Sequence, residues 1–186
     1  MKVNSGTARG RRLRSVPGDT TRPITDIVKQ ALFNILMDEA PGTRWLDLFG
    51  GTGAVGIEAL SRGAASCVFL DLAPAAIRTI EQNLNETGLR EKARVIRQDA
   101  LKFIAGRPNG QFDFIYIAPP QQRGIWSLAL TALDDNPGWL AEDGTVVAQI
   151  APEEFLALEL KNLELLDQRR YGRTMLCFYE KRTTDG

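Results

Sequence analysis

Five short apolar runs, RWLDLF (44–49), SCVFLD (66–71), ARVIRQ (93–98), FDFIYI (112–117) and TVVAQI (145–150), alternate with stretches of helical periodicity near 54–62, 74–87, 99–105 and 125–135. Strand, helix and strand in succession form a crossover unit, and its repetition yields a parallel sheet with helices on both faces. The order therefore predicts an open α/β sheet and confines a ligand site to the carboxyl ends of its strands, where the strand order reverses. A further helix precedes the series: Ile24, Ile27, Val28, Ala31, Leu32, Ile35 and Leu36 recur at helical spacing, and Pro41-Gly42 is expected to end it. After the series, LELLDQRRYGRTMLCFYEK holds two strand-like runs that meet at Tyr171-Gly172 with no helix between them. An antiparallel hairpin closing one edge of the sheet is expected there.

In 186 residues this pattern leaves room for one globular domain. No apolar run approaches the ~18–20 residues of a membrane span, and MKVNSGTARGRRLR has no apolar stretch behind its basic residues, so it does not read as a secretory signal. A cytoplasmic protein without a membrane partner is expected. The chain contains no histidine, which removes His-based metal sites, Ser-His-Asp triads and imidazole proton shuttles together. No metal is expected. Cys67 and Cys177 each sit inside an apolar run, as small buried hydrophobes do.

Formal net charge is zero, yet residues 1–30 hold seven basic side chains against two acidic ones, leaving +5 there and −5 in the remainder. A cationic arm on an acidic domain suits a polyanion such as RNA or DNA; a solvated tail is the plain alternative.

Chemistry is expected just after each strand. The first is followed by Asp47-Leu48-Phe49-Gly50-Gly51-Thr52-Gly53-Ala54-Val55-Gly56, glycines that admit a ligand close to the backbone before a helix begins. Asp71 follows the second strand, placed to accept from ribose hydroxyls, and Asp99 the third, placed near an adenine edge. Together they outline an adenosine-shaped site, although each Asp can also serve as a helix N-cap, Asp99 above all. Gly51-Thr52-Gly53-Ala54-Val55-Gly56 satisfies the dinucleotide fingerprint literally, so a small NAD-binding protein is one reading. Asp47 argues against it: a carboxylate at the strand end repels a pyrophosphate and attracts an ammonium. D-x-F-x-G-x-G suits S-adenosylmethionine better than NAD.

Arg9-Gly10-Arg11 with Leu13, then Arg22-Pro23-Ile24-Thr25-Asp26 leading into Ala31-Leu32-Phe33-Asn34-Ile35-Leu36, and above all LDLFGGTGAVGIEALSRGA (46–64), resemble the RsmD-type 16S ribosomal RNA guanine-N2 methyltransferases over residues 9–181. Gly50 stands where that family usually has alanine. The resemblance implies a Rossmann-like class I methyltransferase, with a seven-stranded, mostly parallel sheet whose last strand is antiparallel. It implies a basic N-terminal arm over 1–22 and a cofactor-binding domain over 23–186. It further implies S-adenosyl-L-methionine as cofactor, and small-subunit ribosomal RNA or the assembling small subunit as partner. Asp47, Phe49, Gly50, Gly51 and Gly53 would line the methionine part, Asp71 would hold the ribose, and Asp99 with Ala100 would border the adenine. Arg9, Arg11, Arg12, Arg14 and Arg22 would meet RNA.

The sequence departs from that family after the fourth strand. Amino-group methyltransferases of this kind have Asp or Asn, two prolines and an aromatic residue there; this chain has Ala118-Pro119-Pro120-Gln121. That loop accepts from the exocyclic amine and stacks on the flipped base, and Ala118 offers no side-chain acceptor, nor Gln121 a ring. Backbone carbonyls at Ala118 and Pro119, or the amides of Gln121 and Gln122, are the candidate substitutes, and Tyr116 and Trp126 the candidate rings, although such residues more often serve as core or rim packing. A catalytically impaired cofactor- and RNA-binding protein of the same fold is the alternative.

Overall fold

The computed structural model describes residues 1–18, 23–121 and 124–183. The alternation folds as α1 (Asp26–Leu36), β1 (Arg44–Asp47), α2 (Ala54–Ser61), β2 (Ser66–Asp71), α3 (Pro74–Thr87), β3 (Ala93–Arg97), α4 (Ala100–Ala105), β4 (Phe112–Ile117), α5 (Ile125–Asp135), β5 (Leu140–Ile150), β6 (Leu163–Tyr171) and β7 (Thr174–Lys181). These strands make one seven-stranded sheet in the order β3-β2-β1-β4-β5-β7-β6. β1 to β5 are parallel, and β7 runs antiparallel between β5 and β6. The order reverses between β1 and β4, the crevice where open α/β sheets take ligands.

Side chains alternate across the pleat, so each central strand feeds two cores. Trp45, Phe114, Tyr116 and Val147 face one side, where α1, α2 and α3 contribute Leu32, Phe33, Ile57, Ile80 and Leu84. Leu46, Ile115, Ile117, Val146 and Ala148 face the other, packed under Ile104 of α4 and Trp126, Leu130 and Leu133 of α5. Trp126 is buried, stacks on Phe155 with ring centroids 6.2 Å apart, and donates its Nε1–H to the Glu154 carbonyl. It belongs to the core and offers no face to a ligand.

Two boundaries differ from the sequence pattern. α1 ends at Leu36 rather than at Pro41-Gly42: Met37 (φ 45°) and Asp38 (φ 59°) adopt left-handed conformations, and the Met37 N–H returns to the Phe33 carbonyl. Leu36 is the last residue of the helix that the core covers, and the chain turns as soon as that face is spent. Pro41-Gly42 shapes the later approach to β1, where the Gly42 N–H donates to the Gly63 carbonyl at 2.9 Å. β5 begins at Leu140, five residues before the apolar run, through an irregular pairing in which Phe112 faces Leu140 but Phe114 faces Thr145.

The first thirteen residues lie on the domain. Val3, Ala8 and Leu13 enter the first core, and the segment folds on itself through Val3 N–H to the Arg11 carbonyl and Leu13 N–H to the Met1 carbonyl. An ion cluster centred on the buried Glu58 and Lys29 anchors it. Glu58 on α2 accepts from the backbone of Asn4 (2.8 Å) and Ser5 (3.1 Å), from Arg62 Nε (2.9 Å), and pairs with Lys29 of α1 at 3.2 Å. Lys29 in turn donates to the Lys2 carbonyl at 2.6 Å. Among the described residues no helix is long and apolar enough to cross a membrane.

Candidate active site

Strand polarity brings the residues that follow β3, β2, β1 and β4 to one edge of the sheet, four neighbours side by side. Asp47, Phe49, Gly50, Gly51 and Gly53 meet there with Asp71, with Asp99 and Ala100, and with Ala118-Pro119-Pro120-Gln121.

The glycine turn leaves β1 with Gly51 at φ 57° and Gly53 at φ 80°, the latter at the N-cap of α2. These left-handed conformations and the open space where a Gly51 Cβ would stand leave that backbone accessible. At Gly50 a Cβ would meet Ile80 Cδ1 at 2.7 Å and the Leu70 carbonyl at 3.2 Å, so an alanine there would require the end of the Ile80 side chain to shift. The turn is pinned from three sides. The Gly50 N–H donates to the Leu70 carbonyl (2.7 Å), the Gly51 N–H to Asp71 Oδ2 (2.9 Å), and the Thr52 carbonyl accepts from Asn83 Nδ2 (2.9 Å).

Asp47 closes β1 beneath this turn, buried, and its Oδ1 has no hydrogen-bond partner among the described residues. Burial pushes its carboxyl up to about 7; the Asp71 charge acts in the same direction, and a hydrogen bond with the Phe49 backbone opposes them. A buried carboxylate with an unused oxygen, set against a second carboxylate, is a receptor for a cationic group. Asp71 already has one partner for each oxygen, Oδ1 accepting from the Ala73 N–H at 2.9 Å. Each oxygen keeps a further lone pair for a ligand.

Asp99 is the N-cap of α4, Oδ1 accepting from the Lys102 N–H at 3.0 Å, and Ala100 beside it is buried. The capping role anticipated for Asp99 is therefore filled, with one oxygen left over. Leu72, 57% exposed immediately after Asp71, adds an apolar side chain that the sequence pattern did not single out.

Ala118, Pro119 and Pro120 are half-buried and Gln121 exposed, while Gln122 lies outside the described residues. Ala118 packs against the first core. Tyr116, paired with Asp47 across β1 and β4, is buried, and its hydroxyl donates to Gln149 Oε1 on β5. Burial, aided by the Asp47 charge, pushes the Tyr116 phenol well above its usual range, so it stays a donor.

Arg9, Arg11 and Arg12 are exposed, with no side-chain partner among the described residues, and Arg22 lies outside those residues. Arg14 is held by Glu86 at 2.7 Å. Its backbone reaches the site indirectly: Asn83, fully buried on α3, accepts from the Arg14 N–H (2.8 Å), donates to the Arg14 carbonyl (3.1 Å), and donates to Thr52 in the glycine turn. An asparagine on the apolar face of a helix, between Ile80 and Leu84, is the signal that could have revealed this link.

The family model described as Conserved hypothetical protein 95 matches residues 1–180. The Bacillus subtilis (strain 168) protein YlbH is 40% identical over 185 residues, 98% of this chain and 100% of that protein. Ribosomal RNA small subunit methyltransferase D of Escherichia coli (strain K12) is 31% identical, with 97% of this chain and 90% of the relative covered. Among solved structures, yhhF from Escherichia coli superposes with a TM-score of 0.85 at 31% identity, covering 97% of both chains.

Proposed function

The chain belongs to the family described as Conserved hypothetical protein 95, and from that membership we propose that it transfers a methyl group from S-adenosylmethionine to the exocyclic N2 of a guanine in small-subunit ribosomal RNA. Methyl transfer to ribosomal RNA is the activity named for its Escherichia coli relative. The observation that carries the cofactor choice is Asp47, whose buried carboxylate keeps an unpaired oxygen under a glycine turn. That atom suits the ammonium of an amino-acid moiety, and its charge would repel the pyrophosphate of NAD.

When bound, the cofactor supplies an electrophilic methyl group on a positively charged sulfur. On this reading Asp47 receives the ammonium, and the exposed backbone of Gly51 and Gly53, with Phe49 and Gly50 flanking, lets the methionine part approach. Asp71 accepts from the ribose hydroxyls, and Asp99, Ala100 and Leu72 border the adenine. Ala118-Pro119-Pro120-Gln121 lines the side where the guanine enters. That loop would hold the amine nitrogen toward the methyl group, the sulfur would keep the electron pair of the bond given up, and the amine's proton would leave to water. No strong base is required beforehand.

The partner is small-subunit ribosomal RNA, free or in an assembling subunit, and the place of action is the cytoplasm. Residues 1–22 act as the RNA-binding arm of the domain over 23–186, with Arg9, Arg11, Arg12 and Arg22 meeting phosphates and Arg14 held by Glu86. Thermal denaturation with added ligand tests the cofactor: S-adenosylhomocysteine raises the midpoint and NAD does not. A shift by NAD alone would transfer the chain to the dinucleotide-binding reading.

A further inference from the structure

Gln149 stands where an acceptor for the target amine is missing. The register of β4 on β5 pairs Tyr116 with Val147 and Ile117 with Ala148, so the next residue on each strand is Ala118 on one and Gln149 on the other. By the pleat, both turn to the face that Tyr116 and Val147 share. Ala118 packs on that face, and the Tyr116 hydroxyl crosses from β4 to Gln149 Oε1. Gln149 is half-buried, held by that bond, and alongside Ala118, the position where related loops carry Asp or Asn.

We propose that Gln149 supplies the side-chain acceptor for the guanine amine that Ala118 lacks, with Tyr116 as the positioning residue that aims its oxygen. The proposal rests on the methyltransferase reading. An amide oxygen accepts two hydrogen bonds; Tyr116 takes one, and the second is directed at the amine. The Tyr116 hydroxyl donates to Oε1, which sets the amide with its oxygen toward β4. Gln149 is neutral and takes no proton: it orients the amine so that the nitrogen lone pair points at the methyl group, while the proton still leaves to water. Gln121 is exposed at the far end of the loop, with no such tie among the described residues.

The test compares Gln149→Met, which keeps bulk and apolar packing without the acceptor, with Gln149→Glu, which keeps an acceptor. Single-turnover transfer of labelled methyl from S-adenosylmethionine to unmethylated small subunits should fall about 10²- to 10³-fold in Gln149→Met. Gln149→Glu should fall between it and the wild type. Adding Ala118→Asp to Gln149→Met should recover at least about tenfold, because the carboxylate restores an acceptor next door. Unchanged calorimetric affinity for S-adenosylhomocysteine verifies that each variant is folded. Binding gives a second readout: with an RNA hairpin carrying the nucleotide the wild type methylates, the wild type should prefer guanosine over inosine, which lacks the amine, about 3- to 10-fold. Gln149→Met should bind both alike. A wild-type rate in Gln149→Met, or an intact guanosine preference, overturns the role of Gln149 and leaves the methyltransferase reading standing. Absence of transfer by the wild-type protein overturns both.

Discussion

The backbone N–H of Gly51 donates to Asp71 Oδ2 at 2.9 Å, so the acid that ends β2 fixes the turn that follows β1. The same carboxylate holds the start of α3 through the Ala73 N–H. Asp71 is thus committed to the shape of the site before a ribose arrives. Asp71→Ala should weaken S-adenosylmethionine binding about 10- to 100-fold, since charged hydrogen bonds contribute ~1.5–3 kcal/mol, and should speed hydrogen exchange at the Gly51 amide. Asp71→Asn, which keeps one oxygen, should fall between. Calorimetry on the folded variants checks this; unchanged affinity would remove Asp71 from the site.

With Asp47 as the receptor for the cofactor's ammonium, binding should depend on pH. Its carboxyl is raised to about 7 by burial, and an ammonium ligand selects the ionised form. Below pH 7 binding must release a proton, so affinity should fall by up to about tenfold per unit of acidification. Above about pH 8 the ligand's α-amino group loses its charge, and affinity should fall again. Calorimetry at pH 6 in buffers of different ionisation enthalpy should register proton release, and Asp47→Asn should bind weakly with no acid limb. The sign for stability is opposite. The unfolded chain ionises Asp47 near ~3.9 while the native carboxyl holds its proton, so the ligand-free protein should lose stability as pH rises from about 4 to about 7. Cys67 and Tyr116, both near Asp47 and both pushed upward by burial, keep their protons across that range.

The N-terminal arginines divide into two groups. Arg9, Arg11 and Arg12 are exposed with no side-chain partner among the described residues, whereas Arg14 is occupied by Glu86. Replacing the first three with serine should reduce the salt dependence of RNA binding by about 2 to 3 in log–log slope, at ~0.7–0.9 per contact. Arg14→Ser should change it less, and cofactor affinity should not move in either variant. Titrations between low and moderate salt check this, and an equal slope with and without the three arginines returns them to the role of solvated charge.

Glu58 holds that segment in place from within the core. Glu58→Gln leaves the Lys29 ammonium buried, with Asp26 at 3.6 Å as its remaining acidic partner among the described residues. The loss should be ~3–5 kcal/mol, the range for breaking a buried pair on one side. A lower denaturant midpoint and faster proteolysis before Leu13 are the expected readouts; a wild-type midpoint would contradict the anchoring role.

The order of elements was legible because each β–α unit shows its own periodicity, and the edge that gathers Asp47, Asp71, Asp99 and Ala118 follows from strand polarity alone. What escaped depends on contacts between segments distant in sequence. Val3, Ala8 and Leu13 share no helical or strand period, so nothing marked the first residues as part of the core. Gln149 sits inside TVVAQI, where a single polar residue reads as part of a strand; only the register of β5 on β4 sets it beside Ala118. Trp126, next to the loop in sequence, points instead into the opposite core.

One measurement bears most directly on the central claim. Unmethylated small ribosomal subunits are incubated with the protein and S-adenosylmethionine carrying a labelled methyl group, and the digested RNA is resolved into nucleosides. The account predicts label in N2-methylguanosine at a single position, lost when Asp47 is changed to Asn. Label on another base or another atom of guanine would contradict the substrate assignment, and no label on free RNA or assembled subunits would contradict the enzymatic reading itself.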